Sequence, residues 1–414
     1  MLRTFETKSA GRLLRRRAAR MAEAEKTVRP ILEDVRKRGD RALVEYAKRL
    51  DGLDRPTVRV PARELKRAAE GLARELRSAV ETASENIRAY AETQLPRERT
   101  LTLAPGLCVG QIVRPLDAIA AYIPSGRYPL PSTLMMTVIP AQVARVPRIC
   151  VASPRPVMAI YGVAEMLQVT DVFQMGGAHA IAAFAFGTRT VPKVDRIVGP
   201  GNLYVAAAKK LLAGEVGIDF VAGPTEILII SEDGDPRVLA ADMLAQAEHD
   251  VEASAILLTS SRSLAKEVAA EVERQLIGLP TAPVAAKAIA KHSAIIIVRS
   301  TDEAVELANQ FAPEHLGIPE PSLLKDIRHA GSIFVGAFSP EAAGDYASGP
   351  NHVLPTSGAA RLRGGLSPAD FVKVISVQEL SAEALAKLAP AITALARAEG
   401  LEAHARSVEV RTNG

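Results

Sequence analysis

The sequence predicts an α/β protein made of two Rossmann-like units, with a helical N-terminal segment and a C-terminal helical tail. Three observations lead there. From Arg148, short apolar runs alternate with helical stretches: Ile149 to Ala152, a helix to Leu167, Val172 to Met175, then a helix opening after Gly176 and Gly177. A second series begins at Ile227 to Ile230 and continues through a helix after Pro236, the run Ala255 to Thr259, a helix from about Ser263 and the run Ala294 to Val298. Neither series carries G-x-G-x-x-G after a strand, so both units are incomplete versions of the dinucleotide-binding pattern.

Residues 1–25 read as an N-terminal helical arm, with Arg12, Arg15, Arg16, Arg17 and Arg20 on a solvated basic face and no apolar core of signal-peptide length behind them. From Thr27 to Leu50 the positions Ile31, Leu32, Val35, Leu43, Val44 and Leu50 recur at helical spacing, broken at Gly39 and stopped at Gly52, which predicts two packed helices. Helix follows from Pro61 to Gln94, and β-like runs surround Val109, Ile112 and Val113. Ile123 to Pro131 is rich in turn residues and reads as loop. Residues 26–125 and 227–366 are expected to form one discontinuous α/β domain and residues 126–226 a second. The segment 367–414, alanine-rich and helical from Ala382 to Arg406, has too little apolar bulk for its own core and must dock elsewhere, a second subunit included.

At 414 residues and 48% hydrophobic, the chain is long enough for two full-sized cores. Lys and Arg total 51 against 47 Asp and Glu, and a net charge of +4 gives no reason to invoke nucleic acid. No run approaches the ~18 apolar residues that a bilayer-spanning helix needs. The two cysteines, Cys108 and Cys150, lie in apolar runs where a small buried hydrophobe serves as well, and a reducing cytoplasmic setting fits them.

Four short segments carry the chemistry. Asp235 and Pro236 supply an N-cap and first helical position for a helix whose end bears Gln246 and His249, three apart on one face and able to reach a common metal ion. Ala342 to His352 joins small, loop-forming residues to Asp345, a third candidate ligand, and to His352, which suits a substrate or a metal-bound group. Glu314 and His315 are adjacent just past a helix ending near Phe311, and suit two proton-transfer tasks at one reacting carbon. Glu399 and His404 lie five apart near the end. Taken singly, each segment reads as well as a solvated helix face, an Asx turn or a surface pair. Together they hold four of the seven histidines, each beside an acid or amide, and a donor set with no thiolate points to zinc, manganese or a similar ion. Gly176-Gly177 and Gly199-Pro200-Gly201-Asn202 each precede a helix; they offer backbone N–H groups to a pyrophosphate or are plain helix-start turns.

Set in order, these blocks closely resemble the histidinol dehydrogenase family from about Thr27 to Val410: Tyr122 to Gly126, Gly176 to Ala183, Val191 to Asp195, Gly199 to Asn202, Ala222 to Glu226, Gln246 to His249, Pro313 to Leu316, Ala343 to Pro355 and Leu401 to His404. The resemblance implies an aldehyde/histidinol dehydrogenase-type architecture. It puts Gln246, His249, Asp345 and His404 at zinc-ligand positions and makes Glu314 and His315 the acid-base pair. It puts Ser132, Thr225, His352 and Glu399, with the zinc ligands and His315, against the substrate, and Tyr122, His179 and Asn202 against NAD, so that 126–226 is the dinucleotide-facing domain. It further implies a homodimer whose tails exchange, with Glu399 and His404 acting across the interface, and a four-electron oxidation of L-histidinol to L-histidine, last in histidine biosynthesis, with one NAD reduced in each half. The chain differs from the family's usual residues at His179 (commonly Gln), Ser125 (Gly), Thr225 (Ser) and Ser357 to Arg361. Two other readings use the same groups: a zinc and NAD dehydrogenase of another polar alcohol or diol such as sulfopropanediol, against which Glu399, suited to a cationic amine, weighs; and a zinc hydrolase, or a non-enzymatic zinc scaffold.

Overall fold

The computed structural model describes residues 2–8, 21–125 and 128–412. The basic stretch Arg12 to Arg20 and Gly126 lie outside them. In chain order the elements are β1 (Arg3–Glu6), α1 (Met21–Arg38), α2 (Asp40–Asp51), α3 (Ala62–Glu70), α4 (Arg74–Thr93), β2 (Arg99–Ala104), β3 (Leu107–Pro115), β4 (Ala118–Tyr122), α5 (Pro131–Val143), β5 (Arg148–Ser153), α6 (Met158–Met166), β6 (Asp171–Gln174), α7 (Gly177–Phe186), β7 (Arg196–Val198), α8 (Leu203–Leu212) and β8 (Gly217–Ile218). They continue with β9 (Glu226–Ile230), α9 (Pro236–Ala247), β10 (Ser254–Thr259), α10 (Arg262–Leu276), α11 (Ala282–His292), β11 (Ala294–Ile297), α12 (Thr301–Phe311), β12 (His315–Ile318), β13 (Ser332–Val335), α13 (Glu341–Tyr346), β14 (Val372–Leu380), α14 (Ala382–Ala398) and α15 (Glu402–Thr412).

Two parallel sheets carry the molecule, in the orders β6-β5-β4-β7-β8 and β1-β11-β10-β9-β12-β13. Apart from the edge strand β1, the chain in each starts at a central strand, winds outward and then returns to the other side, so each has a point where strand order reverses: between β4 and β7, and between β9 and β12. Alternation along the central strands covers both faces. Ala118, Ala120 and Tyr122 pack with the apolar stripes of α1, α2, α7 and α8, whereas Ile119, Ala121 and Ile123 pack with those of α3 to α6. In β9, Ile227 and Ile229 meet α9, α10 and α11, and Leu228 and Ile230 meet α12.

The helices of 21–93 therefore sit on the 118–218 sheet and not, as their place in the sequence suggested, with 227–366. An amphipathic stripe says that a helix is covered, not by which sheet. Arg3–Glu6 is a strand, paired parallel to β11, where a helical arm was expected. The tail begins with a nine-residue strand, β14, antiparallel to β3, and β2 completes a separate three-stranded sheet. Exposure of most β14 side chains hides the burial pattern that would have marked it as a strand. Helices α14 and α15, broken at Gly400 with φ 76°, follow it.

Among the described residues no helix is long and apolar enough to cross a membrane. Cys108 and Cys150 are free and lie in β3 and β5, and burial pushes the Cys150 thiol up to about 12.

Candidate active site

Helix α5 follows β4 in the chain, and this edge of the five-stranded sheet faces the amino ends of β9 and β12: the Thr133 hydroxyl meets His352 Nε2 at 3.1 Å. The chemistry collects there. Asp235 caps α9, accepting from the Arg237 N–H, and the far end of that helix delivers Gln246, wholly buried, and His249 just beyond. Helix α12 ends at Ala312 with φ 51°, a left-handed conformation few side chains adopt, and this turns Glu314 and His315 inward at the head of β12. Helix α13 adds Glu341 and Asp345, one turn apart on one face.

One hydrogen-bonded run joins them. Gln246 Nε2 donates to Thr225 Oγ1 at 2.8 Å, and that hydroxyl donates to Glu314 Oε2 at 2.5 Å, where the Glu226 N–H also donates at 3.0 Å. His315 is buried with four oxygens around Nδ1: Gln246 Oε1 at 3.1 Å, the Glu226 carbonyl at 3.3 Å, Glu341 Oε1 at 3.4 Å and Glu314 Oε2 at 3.8 Å. Acceptors on that side place the hydrogen on Nδ1 and leave Nε2 bare; it has no hydrogen-bond partner and stands 3.8 Å from Asp345 Oδ1. Burial pushes His315 down to about 4, so the ring is neutral and basic at Nε2, and pushes Glu314 up to about 8 against the Thr225 and Glu226 hydrogen bonds.

These two shifts make stability pH-dependent in opposite senses. For Glu314, between its ordinary 4.5 and about 8 the unfolded chain has lost the proton that the folded protein keeps, so stability falls as pH rises across that window. For His315, between about 4 and 6.5 the unfolded chain binds the extra proton, so stability rises with pH. Above 6.5 the His315 contribution is complete, and those of Glu314 and of Glu341, whose carboxyl burial also pushes up, still change. Chelated protein is therefore expected to lose denaturant resistance from pH 6.5 to 8, and Glu314→Gln, which keeps both acceptor contacts, is expected to flatten that slope. Parallel slopes for the two proteins would refute the assignment.

A divalent cation fits this donor set. His249 Nδ1 donates to the Ala245 carbonyl at 2.9 Å, which leaves Nε2 as a lone pair 3.8 Å from Asp345 Oδ2, and donor atoms of His315, Glu341 and Asp345 lie within 4.8 Å of one another. Among the described residues, the ion pairs that Glu314, Glu341 and Asp345 make are all with histidines. Three carboxyl groups gathered without lysine or arginine, Glu314 and Glu341 pushed up by burial and by Asp345's charge, are a set whose ionised forms a cation would stabilise. His352 lies alongside, its Nδ1 donating to the Asp345 carbonyl at 2.7 Å. Ser132 is buried in the first turn of α5. Glu399 and His404 do not join this group within the chain: both are exposed on the tail, where α15 packs on α14.

The residues expected against a dinucleotide lie at the reversal point between β4 and β7. Tyr122 ends β4, 3% exposed, and its hydroxyl accepts from the Gly177 N–H at 3.3 Å. Gly199, with φ 104°, follows β7 so closely that a Cβ would lie 2.2 Å from the Tyr122 carbonyl oxygen. Asn202 is exposed and caps α8, its Oδ1 accepting from the Tyr204 and Val205 N–H groups at 3.0 and 3.1 Å. His179 is placed differently from the expectation. It is 1% exposed, its Nε2 2.7 Å from Asp51 Oδ2 and its ring 5.8 Å from that of Tyr46, so it supports the Gly176 turn from behind. Asp51 also accepts from the Gly176 N–H at 2.8 Å. The protein's own groups thus take the Gly176 and Gly177 amides at the start of α7 and the Tyr204 and Val205 amides in the first turn of α8, while Asn202 itself is exposed.

Comparisons with known proteins give the family. The family model described as histidinol dehydrogenase matches residues 14–412. The chain belongs to the histidinol dehydrogenase family. A family member from Halalkalibacterium halodurans, named histidinol dehydrogenase, is 46% identical over 93% of both chains. A solved histidinol dehydrogenase from Elizabethkingia anophelis superposes with a TM-score of 0.95 at 34% identity, covering 100% of this chain and 98% of that one. An acetylating aldehyde dehydrogenase from Geobacillus thermoglucosidasius, at 14% identity over 87% of this chain and 98% of that one, shares the fold with a TM-score of 0.50. The α/β expectation and its aldehyde/histidinol dehydrogenase-type architecture hold.

Residues that sequence reasoning missed are Glu341, Asp51 and the buried pair Lys209 and Asp219, which holds Gly199 by both its carbonyl, from Lys209 Nζ at 2.9 Å, and its N–H, to Asp219 Oδ2 at 2.7 Å. Only Glu341 carried a signal, four residues before Asp345 on one short helix.

Proposed function

We propose that this chain is a zinc-requiring, NAD-dependent oxidoreductase that converts L-histidinol through the aldehyde to L-histidine, the closing step of histidine biosynthesis, in the cytoplasm. The observation that carries the reading is His315: a buried, neutral imidazole whose bare Nε2 opens on Asp345 with Glu314 beside it. Family membership supplies the reaction class. No observation favours the hydrolase, scaffold or diol readings.

His315 takes the alcohol proton at Nε2 in the first half-reaction, and Glu314, once ionised, orients and deprotonates water for the second. Gln246, His249, Asp345 and the His404 of a second copy would hold zinc, which anchors and orients the substrate as a Lewis acid. Ser132, Thr225 and His352 line the substrate, and Glu399 of the second copy meets its amino group. Tyr122 and Asn202 face NAD, which accepts one hydride in each half. His179 acts only through the Gly176 turn.

Two tests decide this. Purified protein given histidinol and NAD is expected to form two NADH per histidinol and to stop on chelation; hydrolysis without NADH, or activity untouched by chelation, would refute the reading. Exposure of Glu399 and His404 supports their action across subunits. Co-expressed His404→Ala and His315→Asn chains, each inactive alone, are then expected to recover about a quarter of wild-type activity, since half the dimers carry one intact site of two. No recovery would mean that His404 serves its own chain or none.

A further inference from the structure

Glu341 stands among the acidic groups of the cation site but is not one of the four zinc ligands named above. It is 3% exposed, and neither side-chain oxygen finds a hydrogen-bond partner. A buried acceptor left in that state is costly, more so when charged, and such groups persist where they act. His315 Nδ1 lies 3.4 Å from its Oε1.

We infer that Glu341 is the positioning residue of His315, the acceptor that holds Nδ1–H in place and stabilises the ring once Nε2 has taken the substrate proton. The argument rests on the functional reading above. Of the four oxygens around Nδ1, Glu314 is farthest at 3.8 Å, and the Glu226 carbonyl is neutral at 3.3 Å. Gln246 Oε1 is nearest at 3.1 Å, but it is the same atom that a metal ligand would turn to the cation. Burial and the neighbouring Asp345 push the Glu341 carboxyl well above the usual range; with zinc loaded, Nδ1–H is left with the Glu226 carbonyl and Glu341, the nearer of the two glutamate side chains. In the transfer, the substrate O–H bond breaks, the proton binds Nε2 and the electron pair stays on the substrate oxygen, becoming the carbonyl bond as hydride leaves to NAD. The positive charge on the ring then lies against Glu341, as a buried aspartate serves the histidine of hydrolytic triads. Asp345, four residues on, faces Nε2 on the other side of the ring and is left for the metal.

The test compares Glu341→Gln and Glu341→Asp as zinc-loaded holoenzymes. Glu341→Gln is expected to lower kcat about 100-fold or more with the KM for histidinol and the zinc content per subunit unchanged. Glu341→Asp, which keeps the charge, is expected to recover most of that loss. An unchanged kcat in Glu341→Gln, or zinc lost in proportion to activity, overturns the inference; the second result would make Glu341 a ligand. Should Glu341→Gln not fold, Glu341→Ala takes its place: a lowered kcat at wild-type zinc content and KM supports the role, and a wild-type kcat overturns it. Failure of the functional reading shows separately, as absence of NADH formation by the wild type.

Discussion

His315→Asn is expected to lower kcat by about 10³-fold or more while leaving zinc content and histidinol binding in place. The asparagine amide can still donate to the Glu226 carbonyl and Gln246 Oε1, which lie 3.3 and 3.1 Å from Nδ1, so the buried hydrogen bonds of the site survive. What disappears is the bare Nε2, the one buried nitrogen of the cluster with no hydrogen-bond partner that faces Asp345. Base catalysis is lost without a cavity large enough to unfold the strand, because β12 is held by both β9 and β13 through its backbone. Steady-state NADH formation, metal analysis and calorimetric titration of histidinol check the three parts. Residual kcat within tenfold of wild type would remove His315 from the proton path, and zinc loss would make it a ligand.

The second large effect is on the metal. Asp345→Asn and His249→Asn are each expected to weaken zinc binding by about 100-fold or more, with activity falling in step at limiting zinc. Asp345 stands 3.8 Å from His249 Nε2 through one oxygen and 3.8 Å from His315 Nε2 through the other, so no other carboxylate is so placed between the two imidazoles. In the wild type, added zinc binds only the folded protein and raises the thermal midpoint. That rise should shrink in both variants and vanish in the double variant. An unaltered zinc-dependent rise in Asp345→Asn would disprove the site. The measurement is a melting series against free zinc, independent of turnover.

The parts of the fold that were legible are those where a central strand is covered on both faces. Ile227 to Ile230 and Ile149 to Ala152 are apolar throughout because both sides meet helices, and the two series of such runs gave the two sheets. The strand β14 was not legible, since its side chains are mostly exposed and its pairing with β3 spans more than two hundred residues of chain. Helices α1 to α4 were found but assigned to the wrong unit, because their stripes carry no address.

In the site, spacing alone paired Gln246 with His249, and adjacency paired Glu314 with His315. These are local facts of a helix and a turn, which the sequence determines by itself. That Asp345 meets His249, that His179 turns inward to Asp51, and that Glu341 lies beside the Nδ1 edge of His315 were decided only by the tertiary structure. Each depends on how α13 and α2 dock, and docking is set by the summed burial of many apolar side chains, none of which belongs to the site. The sequence names the reacting groups; the packing of residues that never react fixes which of their nitrogens and oxygens face one another.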